Sequence, residues 1–474
     1  MTRRFILSIA AILAIGACSD QQEPTGNSNP EAEFASTSGT KGINVLLKGP
    51  ATAAELTELG KYGTVKKQLV EINAVTMVGK ESSLPAIRAL PFVAGANFDA
   101  ERNIPPNVML PVSNFENGIN TWDHDAVNVT NFGAGRTIGA TNDGAGVYVA
   151  ILDTGLLPTW RYYFPVQRIA AQYAKSFGGG GNETGNVSEQ PNKWEHDANS
   201  HGTHVTSTVI GYAFHQATGA VAINGVAPQA TIIPVKVLNQ NGSGWSSVVA
   251  AGISYIGSLK APGGPLRNSP VVINMSLGGP VLDVVEKAAI DFAIAQGVII
   301  VASAGNSGNA GMGFPGAYGP VISAAASGWI GEWAGGNRGW WNNRDVPDPT
   351  NPNDFYITDF SSRQKTGQDL DVAAPGSWVV GPYQNQQGQL SYFFLGGTSM
   401  ASPHVAGIAA LMAQKNDALT GPQAEGILTA SAIALPAGCR TVAQPSGPPQ
   451  TFCWGTDATG AGLTTADAAL AATP

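Results

Sequence analysis

From Gly146 onward, near-continuous apolar runs of strand length alternate with helical stretches. Val147–Leu152, Ile232–Leu238, Val271–Met275, Val298–Ala302 and Val321–Ala324 lack the in-and-out alternation of a half-exposed strand, so they predict strands buried on both faces. Between them, Trp245, Val248, Val249, Ile253 and Ile256 recur at helical spacing after Ser243 and Gly244. Val284, Ala288 and Phe292 do the same before Gly297, a residue suited to stopping a helix. This alternation predicts an α/β fold, a parallel sheet flanked by helices on both faces. Ahead of it, 42–102 carries a compact α+β pattern: strand 43–47, helix 51–59, strand material over 65–78, helix 83–90 and strand 92–98. The Pro-rich stretch 103–111 then breaks the pattern and marks a boundary.

The polar stretch 19–40 contains almost nothing apolar and predicts a flexible tether. Before it, Arg3 and Arg4 precede an apolar run from Phe5 to Ile15, the pattern of a secretory signal peptide. That run ends Ile15-Gly16-Ala17-Cys18, which resembles the lipobox of bacterial lipoproteins, where the cysteine becomes the lipidated N-terminus. An ordinary signal peptide with an incidental Cys18 is the alternative. With Cys18 taken by lipid, the remaining cysteines, Cys439 and Cys453, either pair across a short loop in an oxidising compartment or stay as free thiols. The 474 residues, 43% hydrophobic and 12% charged with 59 Gly and 31 Pro, suit a large loop-rich globule with a smaller companion. A net charge of −8 without a basic cluster argues against a nucleic-acid partner, and leaves the N-terminal lipid as the one expected membrane contact.

Candidate chemistry gathers at strand and helix ends. Gly397–Gly407 reads Gly-Thr-Ser-Met-Ala-Ser-Pro-His-Val-Ala-Gly, the start of a buried helix with Ser399 in its first turn. Unpaired N–H groups and the helix dipole there stabilise negative charge beside a hydroxyl, although a plain N-cap has the same look. Pro403 is expected early enough that its missing N–H matters little. Asp153 ends a buried strand, at the carboxyl edge where α/β sheets collect functional groups; capping a turn is its other role. His201 opens Asn-Ser-His-Gly-Thr-His-Val, and His204, three residues on, reads as an interior side chain; no His-Glu-x-x-His pattern supports a metal pair. Asn306 follows another buried strand, where its amide can face a reacting carbonyl or simply shape a turn.

Asp153-Thr154-Gly155, His201–Val205, Asn274–Gly279, Ala304-Gly305-Asn306 and Gly397–Gly407, in this order, resemble the subtilisin family of serine endopeptidases over about 121–430. The resemblance implies Ser399 as nucleophile, His201 as general base and acid, Asp153 as its orienting carboxylate, and Asn306 with the Ser399 backbone N–H as oxyanion hole. It implies no metal or organic cofactor for the chemistry. Ser276, Leu277 and Gly278 on one side and Gly242, Ser243 and Gly244 on the other would pair with a substrate strand. Ala302, Ser303, Gly305 and Gly313 would bound the pocket for the residue before the cut; being small and uncharged, they imply apolar or aromatic preference.

With the N-terminal readings above, the chain divides into signal peptide with lipobox (1–18), tether (19–40), an α+β domain (41–105) whose size and position resemble the inhibitor and chaperone propeptide of that family, a generic ferredoxin-like interaction domain being the alternative, processing linker (106–120) and peptidase domain (121–474), with any cut between about Arg102 and Gly118. The partners implied are protein or peptide substrates and the chain's own propeptide. The location implied is the cell envelope, by lipid, or release after processing. Departures from the family pattern also stand out. Residues 156–164 lack the acidic ligand of calcium-binding relatives and 212–227 lacks an Asn-rich ion loop, which leaves structural calcium open without assigned ligands. An insertion over 327–358 carries Trp329, Trp333, Trp340 and Trp341, either packing on itself or contacting a polymer. A catalytically silent, protease-shaped surface binding protein is the alternative function, against which the presence of all four groups weighs.

Overall fold

In the computed structural model the apolar runs pair as a sheet in the spatial order Lys175–Ser176, Thr231–Lys236, Tyr148–Asp153, Val271–Met275, Val298–Ser303 and Ile322–Trp329, all parallel. Val372–Pro375 joins Ile322–Trp329 in parallel, and Phe355–Ile357 joins it antiparallel. The structure describes residues 39–103, 108–111, 121–131, 135–139, 141–178, 185–216, 219–336 and 338–474. Cys18, the signal segment, all but the end of the tether and most of the 106–120 linker lie outside them. Among the described residues no helix is long and apolar enough to cross a membrane.

Successive residues of each strand feed opposite cores. Val149 and Ile151 pack with Val205, Val209 and Val405 on one face, while Ala150 and Leu152 pack with Val248, Ile253 and Val285 on the other. Both sets are apolar because neither face meets water, which is why the runs read as continuous. The helices Ser246–Lys260 and Val284–Ala295 cover one face; His201–Ile210 and Thr398–Lys415 cover the other.

Two expectations shift in register. In Val284–Ala295 the fully buried stripe is Val285, Ala289 and Ala293, with Val284, Ala288 and Phe292 on its half-buried flank. Phe292 lies against the neighbouring helix where Gly257 makes room; a Cβ there would sit 2.7 Å from its ring. Pro403 falls inside the Thr398–Lys415 helix, beyond its first turn. The carbonyl it leaves without an intrahelical donor is that of Ser399, which instead accepts the Ser276 hydroxyl at 2.8 Å.

Residues 40–98 form a separate antiparallel sheet, ordered Gly63–Leu69, Ala74–Lys80, Thr40–Leu47, Val93–Phe98. The helix Ala53–Leu59 starts with a capping box between Thr52 and Glu55, and with Leu84–Arg88 it covers one face through Leu59, Leu84 and Ile87. The other face rests on the large domain. Leu69, Ile72 and Ala74 join the core beneath the helices, and the buried Asn44 donates to Asp283 Oδ2 at 2.9 Å. Asp99 supplies a cap from outside the helix it serves, accepting Ser247 N–H at 3.0 Å at the start of Ser246–Lys260.

The Pro-rich boundary is less of a break than its composition implies. Glu101–Asn103 pairs antiparallel with Ser243–Trp245, and Val108–Pro111 pairs antiparallel with Tyr392–Gly396. Main-chain pairing at a sheet edge needs no apolar periodicity, so pattern reading passes over it.

In the insertion, Trp329, Trp333, Trp340 and Trp341 are all buried, and Trp340 stacks on Phe394 with centroids 6.0 Å apart. They pack, but into the main core and not only on one another: Trp341 also meets Phe214 and Trp340 meets Trp122. Cys439 and Cys453 face each other in the hairpin Gly438–Val442/Gln450–Trp454 and are disulfide-bonded.

Beside the tryptophans, Glu332 is wholly buried and accepts from Trp329 N–H, Tyr356 Oη and Ser377 Oγ. Burial pushes its carboxyl up to about 7. Between about pH 4.5 and pH 7 the folded chain keeps this proton and the unfolded chain does not, so stability falls as pH rises through that window. Denaturant unfolding of the Ser399→Ala chain, with and without Glu332→Gln, should show the chain that keeps Glu332 losing on the order of 3 kcal/mol relative to the Gln variant between about pH 4.5 and pH 7.

Candidate active site

Ile151 stands opposite Asn274 in parallel register, so Asp153 and Ser276 end adjacent strands at the same level. At that carboxyl edge Asp153 meets His201, whose Nδ1 lies 2.9 Å from both carboxylate oxygens. The contact depends on close approach of the His201–Ile210 helix to the strand end. A Cβ on Gly202 would lie 2.4 Å from the Gly155 carbonyl and 3.2 Å from the Asp153 side chain. The helix is set by Ser200, which holds a left-handed φ of 84° while its N–H donates to Asp197 Oδ2 at 2.9 Å.

Asp197, Thr154 and Lys236 support this pair; Thr154 lies inside a motif without an assigned role, and Asp197 and Lys236 lie outside the motifs. Thr154 Oγ1 donates to Asp197 at 2.9 Å and accepts Gly202 N–H at 3.0 Å, tying strand end to helix start. Lys236 Nζ reaches the carbonyls of Thr154 and Leu238 at 2.6 and 2.8 Å. Burial raises the Asp197 carboxyl to about 6 against the pull of Lys236, and burial lowers the Lys236 ammonium against the pull of Asp197. The signal was present: Lys236 is a charge inside an otherwise apolar strand, and Asp197 stands four residues before His201.

Ser399 is wholly buried and its Oγ donates to the Ser276 carbonyl at 3.3 Å. His201 Nε2 makes no hydrogen bond to a described residue. Thr398 ties Asn306 to the same helix start: its N–H and Oγ1 donate to Asn306 Oδ1 at 2.9 and 2.8 Å, and Oγ1 accepts Gly305 N–H at 3.0 Å. With its oxygen held there, the Asn306 amide nitrogen is turned away from Thr398. His204 and His404 are interior groups. His204 Nε2 bonds Val379 O at 3.2 Å and burial depresses the imidazole to about 3; His404 bonds Met400 O at 2.8 Å and Asp123 at 3.0 Å.

The segments expected to pair with substrate also come together. Gly278 exchanges both backbone bonds with Asn103, and Ser243–Trp245 pairs with the far side of the same short strand. Gly242 adopts a left-handed φ of 76° at the turn ahead of that edge, and Leu277 is buried behind the other. Ala302 and Ser303 are buried at the end of Val298–Ser303, Gly305 has a φ of 105°, and Gly313 N–H donates to Ala304 O at 3.0 Å. A Cβ on Gly278 would fall 3.7 Å from Gly313 Cα, so these two segments lie side by side.

A subtilase-family profile matches residues 144–455. Subtilisin DY of Bacillus licheniformis is 36% identical over 298 residues, 62% of this chain and 85% of that one. Thermitase of Thermoactinomyces vulgaris is 33% identical over 273 residues, 58% and 77% respectively. Among solved structures, fervidolysin of Fervidobacterium pennivorans, described as a keratinolytic enzyme related to subtilisin, aligns with TM-score 0.62 at 22% identity, covering 91% of this chain and 61% of its own. Sphericase aligns with TM-score 0.53 at 27% identity, covering 74% and 99%. The fold and these relatives define a serine endopeptidase of α/β architecture. The chain belongs to the subtilase family.

The Thr398 hydroxyl can be tested directly, because it bonds both Asn306 Oδ1 and Gly305 N–H. Thr398→Val should lower kcat on a peptide substrate on the order of 10-fold with little change in KM, and Thr398→Ser, which restores the hydroxyl, should recover most of it.

Proposed function

We propose that this subtilase cuts peptide bonds through Asp153, His201 and Ser399, and that it is made as an exported zymogen restrained by its own residues 41–105. What carries the reading is the shared level of two strand ends: Asp153 holding His201 on one, Ser276 holding Ser399 on the next.

The hydrogen bond from His201 Nδ1–H to Asp153 selects the tautomer in which Nε2 is the basic nitrogen. Ser399 Oγ attacks the scissile carbonyl carbon as Nε2 takes its proton, and the carbonyl oxygen becomes an oxyanion. The Asn306 amide N–H and the Ser399 backbone N–H stabilise that charge. Nε2–H then protonates the leaving amine, the C–N bond breaks and an acyl-enzyme remains; water repeats the sequence to release the acid. Asp153 favours the imidazolium formed in between. The chemistry draws on side chains and water, with no cofactor.

The restraint rests on Glu101–Asn103, which fills the cleft as a middle strand between Ser243–Trp245 and Gly278, the manner of a bound substrate. Cleavage between about Arg102 and Gly118 would free the peptidase domain, 121–474, from residues 41–105 once that segment dissociates. The hollow between Ala302, Ser303, Gly305 and Gly313 carries no charge and favours apolar or aromatic residues before the cut. Cys18 is proposed as the lipid anchor to the envelope.

Ser399→Ala should abolish casein hydrolysis and accumulate the uncut precursor on a denaturing gel, with trans-cleavage on adding wild-type enzyme. An Ala variant that matures at the wild-type rate would refute self-processing. A peptide library should show enrichment of Phe, Tyr, Leu and Met before the cut; dominance of Arg or Lys at that position would refute the pocket assignment.

A further inference from the structure

Arg102 is the central residue of the strand lying in the cleft, and its side chain is wholly buried. The guanidinium grips Glu286 in a fork, Nε to Oε1 at 3.0 Å and Nη2 to Oε2 at 2.5 Å, and Glu286 is also wholly buried. Nη2 further donates to the Val281 carbonyl at 3.1 Å and Nη1 to the Glu101 carbonyl at 2.8 Å. Every nitrogen of the guanidinium therefore has an acceptor, the matched planar geometry that distinguishes Arg from Lys.

The pocket around this fork is built by the large domain. Glu286 lies in the first turn of Val284–Ala295, whose N-cap Asp283 accepts the N–H groups of Val285 and Glu286. Gly279 forms the adjoining wall and has no room for a side chain: a Cβ there would lie 2.7 Å from Arg102 Nη1 and 2.4 Å from the Glu101 carbonyl. A neutral residue seated here would leave the Glu286 carboxylate desolvated without a counter-charge, and the Asp283 carboxylate nearby would add to the repulsive field.

We propose that Glu286 makes this subsite selective for arginine, so that the mature enzyme prefers substrates carrying Arg where Arg102 now sits. This rests on the reading of Glu101–Asn103 as a substrate-like strand. Its position follows from register. Asn103 lies opposite Gly278 in antiparallel pairing, so in a bound substrate the residue two further on lies opposite Ser276, beside Ser399. Arg is then the fourth residue before the scissile bond. The apolar hollow takes the residue next to the bond, so the two subsites act on different side chains. Glu286 is a specificity determinant here and takes no part in bond breaking.

The test uses quenched peptides with a single cleavable bond, differing at that fourth position only: Arg, its neutral isostere citrulline, Lys or Leu, cut by enzyme matured from the full chain. The expected order in kcat/KM is Arg first, Lys next, citrulline and Leu last, with Arg over citrulline on the order of 10- to 100-fold. Glu286→Gln should bring the ratio of Arg to citrulline close to one. A wild-type ratio near one, a best rate with Leu, or a ratio unchanged by Glu286→Gln would each overturn the proposal. If the Gln variant fails to fold or mature, the wild-type series still decides. Hydrolysis of casein by wild type but not by Ser399→Ala, with no Arg preference among the peptides, would remove this proposal and leave the triad standing. Equal activity of Ser399→Ala would instead remove the reading beneath it.

Discussion

The site depends on one register. Because Tyr148–Asp153 and Val271–Met275 run parallel with Ile151 opposite Asn274, Asp153 and Ser276 finish side by side. Whatever docks on those two ends is brought to one place. The His201 helix docks on the first through Thr154 and the space left at Gly202, and the Ser399 helix docks on the second through the Ser276 hydroxyl. A slip of one residue would turn each side chain to the opposite face, and because both faces are apolar it is the close-packed fit of differently shaped side chains in the two cores that holds the strand against that slip.

The same edge shows how buried polar groups are accommodated. Ser276 is the clearest case: its Oγ donates to the carbonyl that Pro403 leaves without an N–H partner and also lies 2.8 Å from Ser402 Oγ, while its own carbonyl receives the Ser399 hydroxyl. A helix interrupted by proline close to Ser399 is thereby repaired from the neighbouring strand. Lys236, Asp197 and Thr154 do the equivalent for the histidine side, where burial alone would neutralise each charged member.

The N-terminal sheet is joined to the large domain by polar contacts as much as by its apolar face. Asp99 caps one helix from outside, Asn44 and Asn97 reach the cap residue of the next, and Arg102 meets Glu286 in the cleft. Such contacts are worth most where water is excluded, which the burial of Asn44, Asp99, Arg102 and Glu286 provides.

Taken by itself, the sequence determined the alternation of strands and helices, the two-sided burial of the sheet, and the motifs around Asp153, His201, Asn306 and Ser399, because periodicity and short motifs are local properties. It also marked the α+β pattern of the N-terminal segment. Only the tertiary structure decided that Val285 and not Val284 leads the buried stripe of its helix, that Pro403 sits inside a helix, that the insertion's tryptophans are core, and that the Pro-rich boundary is flanked by paired strands. It alone brought Arg102 to Glu286, 184 residues apart, and Thr154 to Asp197. Those outcomes turn on which surfaces face each other across the fold, and no window of neighbouring residues contains that information.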